Sequence, residues 1–441
     1  MGTRSFGFGV VAGAKGRMAA RGRAAAVLLL AAAAAGCAPV APSPEAEAPA
    51  SSSAPASSSA PASPSGPATA PAPGSSGTAA AAVPTPTPGL GAECAAVRCF
   101  SMMVAGDLLV HPQLWTQAGD DAAASGKLPL DFTPLLEGKR AYLDSADLGI
   151  CHMETPVAEA DGPYTGYPLF NVPPQILTAA KAVGYDACTT ASNHTVDAGT
   201  AGLNRTLGVL DALGLPHTGS YAAEADAAKP FILQTPAAGV SVVEATYGLN
   251  GMTADFDWQV DLLDPEVMIA KARAARAAGA DVVVGAIHAG DEYASVPNAQ
   301  QIEVAHALAD SGEFDFLYGH HSHSVLPIEN YNGTWIAYGL GNSVTELSPW
   351  YDVNNEGLIL RAQFGQDSGG AWSVTDLAWA PSVIVRDPYR WCSVAADLPQ
   401  GACATPEHQA AVRARTIPVV ESMGAADAGA HEWLVSADPV R

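Results

Sequence analysis

The chain has 441 residues, with 44 Asp and Glu against 21 Lys and Arg, for a formal net charge of −23 at pH 7. An acidic excess of this size argues against nucleic acid or a bare anionic lipid surface as the main partner, since both would repel it. The 7 cysteines fit an oxidising, extracytoplasmic compartment better than a reducing one.

At the N-terminus, Lys15, Arg17, Arg21 and Arg23 precede the apolar run "AAAVLLLAAAAAGC". The run is too short for a comfortable membrane span and has the layout of a secretion signal. Its end, Ala34-Ala35-Gly36-Cys37, resembles a lipobox, in which the cysteine becomes the lipidated first residue. Residues 1–37 are therefore expected to be a signal peptide and Cys37 a lipid anchor that holds the protein at the outer face of the cell membrane. Because Ala34 stands where a lipobox usually has Leu, cleavage after an Ala-x-Ala site with free secretion is the alternative, and Met18 is a second candidate start.

From Ala38 to Leu90 the sequence is almost wholly Ala, Pro, Ser, Gly and Thr. Such a stretch has too little apolar mass to offset its chain entropy, and we read it as a disordered tether. Residues 91–441 are long enough for one large core. Among the remaining cysteines, Cys94 with Cys99 and Cys392 with Cys403 are close enough to pair locally, whereas Cys151 and Cys188, in apolar strand-like runs, are expected to be buried thiols.

The folded part alternates strands and helices. "FSMMVAGDLLV" runs into Gly106-Asp107, "SADLGICHMETP" into Glu154, and "DACTTASNH" into Asn193-His194. "PPQILTAAKAVGY", "PEVMIAKARAARAAGA" and "AQQIEVAHALADSG" have helical spacing. The last two feed "DVVVGAIHAGDEY", ending at His288, and "FDFLYGHHSH", which places three histidines in four positions. Five apolar strands thus end in polar clusters, and open α/β sheets bind ligands at that edge. Asp107, Glu154, Asn193, His288, His321 and His323 offer oxygen and imidazole donors without thiolate, a set that suits divalent Zn, Mn or Fe. A His-x-His pair can serve two ions, and a pair of ions about 3.5–4 Å apart clamps a phosphoester for in-line attack.

The motifs "VAGDLLV", "HMETPV", "GYDACTTASNHTVDAG", "AIHAGDEY", "GHHSHSV" and "AYGLGNSV", from about Phe100 to about Phe364, resemble in order and spacing those of the bacterial capsule synthesis protein CapA family, associated with poly-γ-glutamate synthesis. That family is similar to the calcineurin-like metallophosphoesterases. The resemblance implies a four-layer α/β/β/α sandwich with a metal centre, leaving 365–441 as a C-terminal extension. It implies that Asp107, Glu154, Asn193, His288, His321 and His323 are ligands, with Glu154 at the bridging place and His194 facing the substrate phosphate, so that Glu154 and His194 carry the catalytic roles. Asp197 and Asn342 fall in family motifs without an implied ligand role.

One departure matters. Where the phosphoesterases have Asp-x-His at the first strand, Leu109 stands two places after Asp107. One position keeps Glu154, Asn193, His288 and His321, the other only Asp107, Glu154 and His323, so one ion is expected before two. The implied partners are an anionic polymer or a phosphoester and a membrane synthesis complex; turnover as a metal-dependent hydrolase stays open beside a pure assembly role. His111, His152, His217 and His306 read as ordinary surface or core histidines, and His320 as a neighbour of the ligands. Glu292 and Tyr293 either line the cleft or pack its loop, and the tail from His408 reads as a covering helix.

Overall fold

The computed structural model describes residues 94–126, 129–347, 352–396 and 403–434. The expected signal peptide, Cys37 and the tether lie outside them. All described residues belong to the unit Ala80–Arg441.

The first sheet starts with β1 (Arg98–Leu108), β2 (Leu148–Met153), β3 (Ala187–Thr189) and β4 (His217–Thr218), laid side by side and parallel. Helices Pro112–Ser125, Gln175–Val183 and Gly199–Ala212 connect them. The first of these helices opens on proline and stops at Gly126 in the left-handed conformation, the expected asymmetry of helix ends. The chain then builds a second sheet from β5 (Ile232–Gln234), β6 (Gly239–Thr246), β7 (Val282–His288), β8 (Phe316–His320), β9 (Ile328–Tyr331) and β10 (Thr334–Ala337). Its order is β5-β6-β7-β8-β10-β9, parallel except for the two outer strands. Helix Pro265–Ala277 is capped by the Asp264 carboxylate, and helix Ala299–Asp310 by a reciprocal Asn298–Gln301 pair.

The remaining strands return to the first sheet. Strand β11 (Asn342–Val344) lies on β1, and β12 (Glu356–Gln366), β13 (Trp372–Val385) and β14 (Arg390–Ser393) extend the sheet antiparallel, with β15 (His431–Glu432) on β13. The boundary expected near Phe364 falls inside β12, so the segment after it continues the same sheet. Helix Pro406–Glu421 accounts for the covering helix read in the tail.

Period-two burial sorts the side chains into layers. Phe100, Met102, Val104 and Ile150 of the first sheet meet Val242, Val284, Phe316 and Tyr318 of the second in one core between the sheets. Met103, Cys151 and Met153 face the outer helices of the first sheet, and Val283 and Ile287 those of the second. Helix, sheet, sheet, helix are therefore the four layers expected.

Disulfides join Cys94 to Cys99 and Cys392 to Cys403 as expected. The expectation of free thiols at Cys151 and Cys188 is corrected, because they too are joined. They are register partners on β2 and β3, with Cα atoms 4.4 Å apart, a proximity that apolar patterning does not reveal.

Candidate metal centre

By strict alternation Asp107 would follow Met103 and Ala105 toward the outer helices. The register prevents this: from Val104 to Asp107 on β1 is opposed only by Ile150 to His152 on β2, so β1 carries an extra residue. Such a bulge re-aims the next side chain. Gly106 makes it feasible, because a Cβ there would stand 2.1 Å from the Gly341 carbonyl oxygen. The motif Gly-Asp is thus one backbone device that turns Asp107 to the inner face of the sheet.

Asp107 is fully buried and heavily partnered. Its Oδ1 accepts from His320 Nδ1 at 2.6 Å; its Oδ2 accepts the His321 backbone N–H at 3.2 Å and lies 3.5 Å from His323 Nδ1. Burial alone would raise this carboxyl, but His320, His323 and His152 hold it well below the usual carboxylate range.

Glu154 is also fully buried, yet neither carboxylate oxygen has a hydrogen-bond partner. Its Oε1 lies 3.7 Å from His323 Nε2. Burial, opposed by His323 and reinforced by Asp107, pushes its carboxyl up to about 7. In turn, and against its own burial, Glu154 and Asp107 push His323 up to about 9. His323 Nδ1 donates to Asn342 Oδ1 at 3.1 Å, which turns the other ring nitrogen toward Glu154 and gives Asn342 an orienting role. A buried orphan carboxylate oxygen costs on the order of 1–3 kcal/mol unless something positive meets it.

A second group of residues stands beside the first. His288 Nε2 is 2.8 Å from Asn193 Oδ1, and its Nδ1 is 3.0 Å from His152 Nε2. On its far side His152 Nδ1 is 2.9 Å from Thr189 Oγ1 and 2.9 Å from Glu244 Oε1. The other oxygen of Glu244 accepts the Thr190 and Ala191 N–H groups, at 2.7 and 2.6 Å, on the loop that leads to Asn193. His152 is therefore part of the site, not an ordinary core histidine: its ring stacks on His320 at 4.1 Å. Period two was the available signal, since Ile150 faces the inter-sheet core and the residue two places on must share that face. His320 likewise contacts Asp107 directly. Burial, then the neighbouring His152, holds both His288 and His320 below the usual imidazole value.

His194 Nδ1 pairs with Asp197 Oδ2 at 2.7 Å, and the same oxygen accepts the Phe170 N–H at 2.8 Å. Burial opposes protonation of His194, but Asp197 and Glu154 outweigh it and raise its pKa. His321 Nδ1 is buried without a partner, and burial, then His323, lowers its ring to about 4. Both His321 and His323 take left-handed backbone angles, φ 83° and 49°, which non-glycine residues adopt mainly where a site requires it. Leu109 is buried in the core on the helix side of the first sheet, away from the donors.

Among the described residues, three sets bring their donor atoms within 4.8 Å of one another: Asp107, Glu154 and His323; Asp107, His152 and His288; Glu292, His321 and His323. Glu154 sits with Asp107 and His323, and no set joins it to His288 and His321. The structure thus draws together the three donors that the sequence made the poorer position. Unpartnered oxygens on Glu154, an unpartnered Nδ1 on His321 and an unpartnered Nε2 on His320, all buried, suit a divalent ion.

A profile of the family described as bacterial capsule synthesis protein PGA_cap matches residues 101–346, more than half of the chain. The chain belongs to the PGA_cap family. It is 33% identical over 227 residues to the PGA biosynthesis protein CapA of Bacillus subtilis (strain 168), a match covering 49% of this chain and 58% of that protein. To the capsule biosynthesis protein CapA of Bacillus anthracis it is 29% identical over 194 residues, covering 42% and 46%. The matches thus span about half the length of these PGA_cap relatives. A solved structure with partial likeness is the calcineurin-like phosphoesterase YfkN from Bacillus subtilis, 17% identical, TM-score 0.41, covering 73% of this chain and 97% of that one.

Proposed function

We propose that this PGA_cap protein is exported, anchored to the outer face of the membrane through Cys37, and acts in capsule or poly-γ-glutamate assembly through a divalent-metal centre that binds or processes an anionic polymer. The observation that carries the metal is Glu154: a fully buried carboxylate with both oxygens unpartnered, grouped with Asp107 and His323. In a chain of net charge −23, a divalent ion is also what makes an anionic substrate welcome at this edge of the sheets.

A divalent ion held by Asp107, Glu154 and His323, with Asn193, His288 and His321 beside them, would supply Lewis acidity toward a carbonyl or phosphoryl oxygen. The chain's own groups do the rest. Asn342 fixes the His323 ring, His152 backed by Glu244 fixes His288, and Asp197 fixes His194. Held through Nδ1, His194 keeps its other ring nitrogen for a proton passed to a leaving group. This pair favours a second reading, a secreted metal-dependent phosphoesterase or polymer hydrolase.

The test is elemental analysis of the purified protein, followed by assays with phosphomonoesters, phosphodiesters and poly-γ-glutamate in the presence of Mn, Zn or Fe(II). Bound metal with polymer binding and no turnover supports the assembly role; metal-dependent cleavage supports the hydrolase; protein that takes up none of these ions overturns both.

A further inference from the structure

The loop after β7 carries a residue that the two-ion pattern does not contain. Glu292 follows His288 by four places, is exposed, and brings a carboxylate oxygen within 4.8 Å of donor atoms on both His321 and His323. Its position is built, not incidental. The next residue, Tyr293, takes a left-handed backbone angle, φ 65°, and its N–H donates to the Ser322 carbonyl at 2.7 Å. Ser322 lies between the two histidines. One step further along, Ser324 Oγ donates to the Ala294 carbonyl at 2.7 Å, and the Tyr293 ring stacks over His323 at 6.1 Å. Two hydrogen bonds and a ring contact therefore tie the two residues that follow Glu292 to the His-x-His turn.

An independent observation points to a ligand there. His321 is buried, and its Nδ1 has no hydrogen-bond partner. Leu109, meanwhile, packs into the helix-side core and offers no donor beside Asp107. His323 belongs both to the set with Asp107 and Glu154 and to the set with Glu292 and His321, so the two sets adjoin.

We propose that Glu292 is a metal donor, which with His321 holds a second divalent ion beside the inner one, next to the His323 ring that serves the inner position. This rests on the metal-centre reading above and goes beyond it in naming a second ion and its carboxylate. A carboxylate and an imidazole, completed by solvent, are a hard and borderline mixture that takes Mn or Zn. The outer position, with an exposed carboxylate, exchanges its ion more readily than the inner one.

The test is calorimetric titration of the metal-free full chain with Mn(II), together with the Mn(II) paramagnetic resonance spectrum, for the wild type, Glu292→Gln, Glu292→Asp and Asp291→Asn. Asp291 is the charge control: it neighbours Glu292 but is engaged by Asn298 Nδ2 at 3.0 Å. The expected result is two ions per wild-type chain with a spectrum broadened by ion–ion coupling. Glu292→Gln then loses the weaker ion, with an affinity drop of more than about tenfold and an isolated-ion spectrum. Glu292→Asp recovers part of the loss, and Asp291→Asn keeps both ions. Two ions bound equally well by Glu292→Gln, an equal loss in Asp291→Asn, or a wild type that saturates at one ion would overturn Glu292 as a donor while leaving the inner centre standing. A wild type that binds none overturns the metal centre as well.

Discussion

Glu154 and His323 make the site's electrostatics testable without any substrate. The Glu154 carboxyl is pushed up to about 7 and the His323 ring to about 9, so these two groups hold more protons in the folded, metal-free protein than in the unfolded chain from about pH 4.5 to about 9, whereas the lowered rings of His288, His320 and His321 act in the opposite sense below about pH 6.5. Stability falls with pH wherever the folded state holds more protons, so these two groups favour folding at the acid end of that window and progressively less toward its alkaline end. Thermal melts of metal-free protein should show this decline from about pH 7 to 9, above the range in which the lowered rings exchange protons, and the difference between wild type and Glu154→Gln, which cannot ionise, should carry the Glu154 contribution below about pH 7. Saturating Mn(II) should reverse the slope, since a metal takes the deprotonated donors. An unchanged pH profile in Glu154→Gln would mean that the buried carboxyl is not the group that titrates. A second residue-scale test concerns His194, whose ring Asp197 holds at 2.7 Å. If the chain has metal-dependent turnover, Asp197→Asn should lower kcat by about 10²-fold or more with little change in KM or metal content, because orientation and proton affinity of the ring are lost and ion donors are kept.

At the scale of elements, the bulge in β1 is the feature on which the inner site depends. Replacing Gly106 by Ala puts a methyl against the Gly341 carbonyl oxygen, at 2.1 Å before relaxation, and that neighbour is backbone, which yields poorly. Gly106→Ala should cost about 1–3 kcal/mol in chemical denaturation and lower metal affinity along with it, because relief of the clash moves Asp107. A stable variant with unaltered metal binding would show that the bulge does not set the aim of Asp107. The same elements show what the sequence made legible. Apolar runs closing on Asp107, Glu154, His288 and the His-x-His turn revealed the strands and the edge where their side chains gather, because strand ends punctuate the pattern. His152 escaped notice because period two puts it on the inner face with Ile150 but does not say whether it fills the core or backs a ligand; the pairing of β2 with β1, and of His288 with His320 across β7 and β8, sets the rings against one another. The bond between Cys151 and Cys188 depends on register in the same way. The return of β11 to β15 to the first sheet was hidden too, since nothing local tells a strand which sheet it will join.

For the whole molecule, the proposal turns on where the acidic domain works. A chain of net charge −23 is repelled by an anionic membrane, so its own electrostatics would carry it away from a membrane-bound synthesis complex. A covalent lipid at Cys37 would overcome that repulsion, and a tether of the Ala/Pro/Ser-rich composition found from Ala38 to Leu90 would supply the reach. The expected outcome is that the wild type incorporates a labelled fatty acid and sediments with membranes, whereas Cys37→Ser does neither and appears in the medium. Shortening the Ala38–Leu90 segment should leave the melting temperature of the domain unchanged but impair polymer production in cells, if reach is what the segment provides. Unlabelled wild-type protein released to the medium would instead place the metal centre in a diffusible hydrolase, the second of the two readings, and polymer assembly would then have to recruit it by contact and not by anchorage.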